Sequence, residues 1–213
     1  EHDALQFAAS FRKLASELAI PIPESCLSSF FNYLCELTKW NQAINLTSID
    51  DQREILVKHF IDSIAGTKVI DNYSKIELLD VGAGAGFPGL PLKFVLPDLV
   101  LELLEPSEKK GSFLRYLVVS LGLKDVTVDA AKLQQYVSRV NRRTFDYIVV
   151  RAFKVDQCGH LLADLLKPNG KVILYRAGPV PKGFELAGLA LVQELEYELP
   201  SDYGHRVLSV FSK

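Results

Sequence analysis

The residues best placed to do chemistry lie in one stretch, Leu78-Leu79-Asp80-Val81-Gly82-Ala83-Gly84-Ala85-Gly86-Phe87-Pro88-Gly89-Leu90. A short apolar run ends in an acid, Asp80, and the chain then turns through Gly82, Gly84 and Gly86. Glycine lets backbone pass close to a ligand and adopt positive φ without steric penalty. The pattern therefore predicts a strand that delivers the chain to a ligand at a helix N-terminus. Dinucleotide spacing, G-x-G-x-x-G, would need a glycine at the position that Phe87 occupies. What remains is acid-x-Gly-x-Gly-x-Gly.

That spacing resembles the first motif of the S-adenosylmethionine (SAM) methyltransferases. The resemblance implies that Asp80 receives the ammonium of the cofactor's methionine end. The glycine N–H groups of the turn, through Gly82, Ala83, Gly84, Gly86 and Phe87, would receive its carboxylate. About twenty residues on, Leu103-Leu104-Glu105 ends a second apolar run, and an acid there can accept both ribose hydroxyls of a nucleoside. NAD enzymes use the same device, so Glu105 supports a nucleoside without naming it; a helix N-terminal acid is the alternative. Val128-Asp129-Ala130-Ala131-Lys132 follows the third run, and its small residues Ala130 and Ala131, with Lys132, leave room for an adenine.

A fourth run, Phe145 to Val150, delivers Arg151-Ala152-Phe153, where such enzymes face their substrate. An arginine at a strand end is a poor core residue, because its charge is costly to bury unpaired. The Asn/Asp-Pro-Pro-aromatic motif of adenine amino-methylation is missing here. So is a cysteine nucleophile after proline, as cytosine C5 methylation needs. His59 and Asp62 are three apart on a helix and hence neighbours; a structural hydrogen-bonded pair is favoured over a catalytic one. Lys109, Lys110 and Arg115 form one basic group and Arg139, Arg142 and Arg143 another; with Lys154 and Arg206 they could follow phosphates.

The elements that must position these residues fall into two parts. Apolar residues at helical spacing predict helices over 3–19, from Glu24 to about Trp40, and over 52–66, with a polar, Asn-rich connection from Asn41 to Ser48. From Ile76 the rhythm changes to strand and helix in alternation, the signature of a parallel sheet. Strands are expected at 76–81, 99–105, 125–128, 145–150, 171–175, 189–197 and 206–212, with helices at about 88–96, 107–121, 132–140 and 155–166. Lys167-Pro168-Asn169-Gly170 reads as a turn. The expected division is a helical cap over 1–74 and a cofactor-binding domain over 75–213.

Bulk properties narrow the class. The 213 residues suffice for one large domain with an extension, and 48% hydrophobic with 23% charged residues is ordinary for a soluble globular protein. A formal charge of −2 gives no global signature of a nucleic-acid binder, so any such surface must be local. No apolar run reaches a membrane span, and no signal peptide is legible. Cys26, Cys35 and Cys158 show no metal spacing and fit reduced residues in a cytoplasm.

Several segments together resemble one family, the bacterial glucose-inhibited division protein B family, the small-subunit ribosomal RNA guanine-N7 methyltransferases (RsmG). They are Lys39-Trp40-Asn41-Gln42-Ala43-Ile44-Asn45-Leu46-Thr47, Lys58-His59-Phe60-Ile61-Asp62-Ser63, Asp80 through Leu92, Arg151-Ala152-Phe153, and Arg206 with Val207-Leu208-Ser209-Val210. The resemblance implies an α/β, class I SAM-dependent methyltransferase fold. Such a fold is Rossmann-like, with a mainly parallel seven-stranded sheet ending in an antiparallel hairpin, here behind an N-terminal helical cap. It implies methyl transfer from SAM to N7 of one guanine in the 530 loop of 16S rRNA. The substrate would be that RNA, the small ribosomal subunit or its assembly intermediate, and the enzyme a cytoplasmic monomer without metal. Ala131-Lys132, where Ala-Glu is usual, and Glu105-Pro106, where Asp-Ser is usual, depart from the family. Guanine N7 carries a free lone pair, so no general base is expected. Arg151 and Arg206 would hold phosphate, guanine O6 or the cofactor's carboxylate, with Phe87 as a positioning residue. Phe87 or Phe153 would stack the splayed base. The competing readings are a SAM methyltransferase for a small molecule or protein, and a cofactor-binding regulator without catalysis.

Overall fold

The computed structural model describes residues 2–71, 75–139, 143–152, 154–155 and 158–213. Seven strands form one sheet in the order β3-β2-β1-β4-β5-β7-β6. They are β1 (Glu77–Val81), β2 (Val100–Leu104), β3 (Val126–Asp129), β4 (Phe145–Arg151), β5 (Leu166–Arg176), β6 (Ala190–Glu198) and β7 (His205–Ser212). The first five pair in parallel, and β7 enters antiparallel between β5 and β6. The strand order reverses direction between β1 and β4. In an open parallel sheet the crevice at such a reversal, outside the strands' C-terminal ends, is where ligands bind. The glycine turn leaves β1 and Arg151 ends β4, so the topology alone brings them to one crevice.

Helices α1 (His2–Glu17) and α2 (Leu27–Ile44) precede α3 (Gln52–Ile55) and α4 (Asp62–Ile64), with a π-helical turn, Leu56–Ile61, between the last two. The other helices are α5 (Gly89–Val95), α6 (Glu108–Ser120), α7 (Leu133–Arg139) and α8 (Gly159–Asp164). One apolar cluster runs without a break from Phe7, Phe11 and Phe30 through Phe60 and Phe94 to Leu78, Leu103 and Leu208. The N-terminal helices therefore share a core with one face of the sheet. The other face packs against α7 and α8 through Leu79, Ile148, Tyr136 and Leu162.

Two expectations need correction. The region 52–66 is not one regular helix, because its centre widens into the π turn that carries His59. The Lys167–Gly170 turn does not precede β5 but loops out within it. Phe145 pairs with Leu166 and Tyr147 with Lys171, so a two-residue step on β4 faces a five-residue step on β5. Asn169 adopts φ 64 there, a left-handed conformation that asparagine tolerates.

Packing is tightest where the cap meets the sheet. A Cβ on Gly66 would lie 2.0 Å from the Tyr175 hydroxyl, whereas Gly178 has open space around that position. Gly66→Ala is therefore expected to cost about 2 kcal/mol by overpacking, and Gly178→Ala less than about 0.5. Urea unfolding of the two variants measures the difference; equal midpoints would contradict the tight contact.

Candidate active site

The connector after α2 sets the site's first wall. Asn45, at φ 49, ends α2 in the left-handed conformation. The buried Asn41 side chain then accepts from Thr47 N at 2.8 Å and donates to Asp50 Oδ1 at 2.6 Å. These bonds hold Leu46 and Thr47 against the glycine turn. They give the Asn-rich segment a physical reason that composition could not supply.

A cleft of about 320 Å³ opens between this connector and the sheet, lined by Leu46, Thr47, His59, Gly82 to Ala85, Phe87, Glu105, Pro106, Lys110, Arg151 and Ala152. Gly82, Gly84 and Gly86 all have positive φ. A Cβ on Gly84 would meet nothing nearer than 3.9 Å, so the turn presents bare backbone to open space. Glu105 is held from both sides: Oε2 accepts from Gly84 N and Oε1 from Ser107 N, each at 2.8 Å. Each oxygen keeps a second lone pair. The acid thus ties the turn to the start of α6 and still lines the cleft.

Asp80 lies beneath the turn, fully buried. Its Oδ2 accepts from Gly89 N at 2.7 Å, anchoring the start of α5, and a Cβ on Gly89 would lie 2.7 Å from that oxygen. Its Oδ1 is buried without a partner among the described residues. Burial pushes the carboxyl up to about 7, against the pull of the Gly89 N–H and of Arg151.

Arg151 forms the opposite wall. Its side chain is only 16% exposed. Nη1 donates to the Lys58 carbonyl and to Asp62 Oδ2, both at 3.2 Å, and Nη2 lies 3.2 Å from His59 Nδ1. Arginine has donors only, so His59 Nδ1 accepts. The imidazole is then neutral, with its proton on Nε2, which donates to Thr47 Oγ1 at 2.8 Å. Burial, and next the charge of Arg151, push His59 down to about 3. Asp62 Oδ1 accepts from the Tyr197 hydroxyl at 2.8 Å, and Arg206 Nε stands 3.8 Å from the same oxygen. His59 and Asp62 are therefore not bonded to each other; both turn toward Arg151.

Phe87 is 5% exposed. Its ring stacks on Tyr33 at 5.3 Å and on His59 at 4.6 Å, with the Arg151 guanidinium 5.1 Å from its centroid. A stacking platform needs a bare ring face, and this ring is enclosed, so Phe87 positions the site's own walls. Phe153 and Arg142 lie outside the described residues.

The remaining expected residues are dispersed. Ala130 and Lys132 are exposed and Ala131 packs into the α7–α8 core, and none of the three lines the cleft. Lys132 N instead donates to Gln135 Oε1 at the start of α7. Arg143 pairs with the buried Glu102 at 2.5 Å and Arg139 with Asp129, so acids on this edge occupy both. Arg115 is shared with Glu108 and Ser112. Lys109 is exposed and Lys110 reaches the cleft. Arg206 sits behind Asp62, outside the cleft lining, and donates to the His205 carbonyl at 2.7 Å. Lys154 lines a second cavity of about 430 Å³, with Val150, Leu174, Arg176 and Gly178, which meets the first at Ala152. Tyr33, Thr47 and Tyr197 carried no role in the sequence reading; only Thr47 stood in a segment that had been singled out.

The profile of the family described as rRNA small subunit methyltransferase G matches residues 27–185. A protein named ribosomal RNA small subunit methyltransferase G from Geotalea uraniireducens is 35% identical over 207 residues, covering 93% of each chain. One of the same name from Staphylococcus aureus is 32% identical over 202 residues, 91% of this chain and 84% of that one. Among solved structures, a SAM-dependent methyltransferase from Aquifex aeolicus has a TM-score of 0.57 at 18% identity, covering 79% of this chain and 97% of that one. A precorrin-6y C5,15-methyltransferase from Geobacter metallireducens has a TM-score of 0.57 at 14% identity, covering 80% and 91%. These likenesses establish a class I methyltransferase fold.

The two buried titratable groups give opposite pH signatures. Asp80 holds its proton in the folded state up to about 7 and releases it near 3.8 when unfolded, so its contribution is full at low pH and is lost as pH rises through 7. His59 stays neutral down to about 3 when folded and titrates near 6.5 when unfolded, so its contribution is lost as pH falls below 6.5. Unfolding free energy measured in urea across pH 4–8 should show His59→Gln gaining on the wild type as pH falls below 6.5. The relative stability of Asp80→Asn should instead climb between pH 4 and 7 and level off above. Parallel curves for all three proteins would refute the buried, neutral assignments.

Proposed function

The chain belongs to the rRNA small subunit methyltransferase G family, and from that membership we propose that it transfers a methyl group from SAM to N7 of one guanine in the 530 loop of 16S rRNA. The observation that carries the N7 reading is a cleft with no available base. Among its described lining residues the titratable groups are His59, Glu105, Lys110 and Arg151. His59 has one nitrogen engaged by Arg151 and its proton on the other, and the lone pairs that Glu105 keeps beside its two backbone N–H bonds are the ones suited to the cofactor's ribose, away from the methyl. A nucleophile that had to lose a proton would find no poised acceptor, whereas N7 attacks with a lone pair it already has.

The residues fit the cofactor. Gly84 leaves open space above the turn, and Glu105 retains lone pairs suited to ribose hydroxyls. Asp80, fully buried and outside the cleft lining, anchors the turn through Gly89 N and is not placed to receive the cofactor's ammonium, contrary to the expectation from the sequence. SAM supplies, when bound, a methyl on a positively charged sulfur. The chain's own part is alignment and exclusion of water, where effective molarity can lower the barrier by several kcal/mol, roughly 7–11 at best. Glu105 orients the nucleoside end, and Arg151, held by Asp62 and His59, keeps the wall beside the reacting atoms in place. The adjoining cavity at Ala152 admits the base, with Lys154 and Arg176 at its rim for phosphates. Arg151 does not donate to N7, since that would occupy the reacting lone pair.

Incubation with methyl-labelled SAM and either naked 16S rRNA or small-subunit particles, followed by borohydride–aniline cleavage, tests the reading. One N7-methylguanosine in the 530 loop is expected with the wild type. Arg151→Ala should slow transfer by about a hundredfold, the cost of a misplaced reacting group. Absence of label in RNA from both substrates would overturn it.

A further inference from the structure

Most large apolar side chains are buried, and among the described residues Leu5, Tyr116, Val119, Leu191 and Val192 are the exposed ones. Tyr116, 38% exposed, and Val119, 80% exposed, stand one turn apart on α6. Tyr116 is also the outer end of a column of rings. Phe113, fully buried, lies 5.5 Å from Trp40, and the half-buried Trp40 lies 5.2 Å from Tyr116. The core needs Phe113 covered, and Trp40 does that. Tyr116 carries the column on into solvent, and adjacent apolar groups at a surface mark a contact in a way that single scattered ones do not.

The column stands beside the cleft. Lys110, which lines the cleft, precedes Tyr116 on α6 by six residues, about 9 Å of helix. Leu46, which also lines it, follows Trp40 by six residues, most of them in α2. The surroundings are basic in a chain whose formal charge is −2. Lys109 is exposed on the column's side of α6, four residues before Phe113. Lys39, next to Trp40 in sequence, is 72% exposed and only loosely paired with Glu36, 4.0 Å away. Together α2 and α6 carry Lys39, Lys109, Lys110 and Arg115 against Glu36 and Glu108. Exposed rings between lysines suit single-stranded RNA, whose bases stack on aromatics while its phosphates meet cations. An apolar protein surface would bury the same lysines without partners.

We propose that Trp40 and Tyr116 form a stacking ledge for a nucleotide neighbouring the target guanine, with Lys39 and Lys109 on the flanking phosphates. The assignment rests on the reading that the substrate is RNA, and it adds a place where that RNA is held outside the reaction cleft. A base that enters an enzyme cleft has to leave its neighbours in the stack. A ring that takes over the lost stacking offsets part of that cost and fixes the strand's path past Lys110. The seam between α2 and α6 thereby acts on the substrate, while the π turn acts on Arg151.

Trp40 is the chain's one tryptophan, so its fluorescence reports on the ledge alone. Titration with a single-stranded oligoribonucleotide of the 530-loop sequence should quench it, and titration with S-adenosylhomocysteine should not. In methyl transfer to naked 16S rRNA, Tyr116→Ala should raise KM for RNA about tenfold, the loss of one stacked base. Its kcat and its KM for SAM should stay as in the wild type, because a contact kept throughout the reaction moves KM alone. Tyr116→Phe, which keeps the ring, should match the wild type. Unquenched Trp40 at RNA concentrations that saturate transfer would overturn the ledge, as would an unchanged KM for RNA in Tyr116→Ala. So would a Tyr116→Phe protein that behaves as Tyr116→Ala, or a Tyr116→Ala protein weakened equally toward SAM. A Tyr116→Ala defect confined to small-subunit particles would put a protein of the particle there and contradict stacking. A wild type that transfers no methyl to RNA, while RNA still quenches Trp40, would overturn the proposed function and support the ledge.

Discussion

A guanidinium with a side chain 16% exposed at the end of a sheet strand has to be met by acceptors, and the acceptors that Arg151 finds come from the N-terminal helices. A charge buried without partners costs several kcal/mol, so the position of Arg151 and the docking of those helices are one condition. Lys58, His59 and Asp62 meet it together because the π turn widens the helix where they stand, and single π turns recur where function needs a local departure from the α-helix. Asp62 is then kept in place from the other side, by Tyr197 on β6 and Arg206 on β7. The final hairpin therefore supports the same arginine that the cap surrounds.

The N-terminal helices accordingly form one wall of the candidate cleft. The Tyr33 hydroxyl donates to the Ala85 carbonyl at 2.5 Å, and its ring covers Phe87, so α2 holds the glycine turn in both a polar and an apolar way. The continuous core from Phe11 to Leu78 removes any apolar seam along which the two regions could separate. A division of the chain near residue 75 marks a change in element type. The buried apolar residues divide instead into two clusters, one on each face of the sheet.

Much of this was legible in the sequence, for identifiable reasons. The change of periodicity at Ile76 located the strands because a strand buried on both faces reads as an apolar run, and the glycine spacing excluded a dinucleotide because Phe87 breaks it. What could not be read was partnership. Arg139 and Arg143 looked like a phosphate-tracking pair, and only the fold shows Asp129 and Glu102 within reach of them. His59 and Asp62 were visible as neighbours, but that both face Arg151, eighty-nine residues beyond Asp62, is a fact of sheet topology. Phe87 drew attention as an aromatic beside the turn. Its enclosure by Tyr33 and His59 depends on helices docking from a separate part of the chain.

The division of labour between fold and family follows from these distances. The reversal of strand order between β1 and β4 would bring a glycine turn and a strand-end residue together in any protein of this topology. That explains why remote structures at 14–18% identity align over most of the chain. The surroundings of Arg151 are a different matter, because His59 and Asp62, and the Thr47 that His59 holds, all belong to elements outside the sheet. Around the residue that ends β4, those groups leave arginine and histidine engaged with each other. A site so arranged suits a nucleophile that brings its own electron pair and asks only to be held in line.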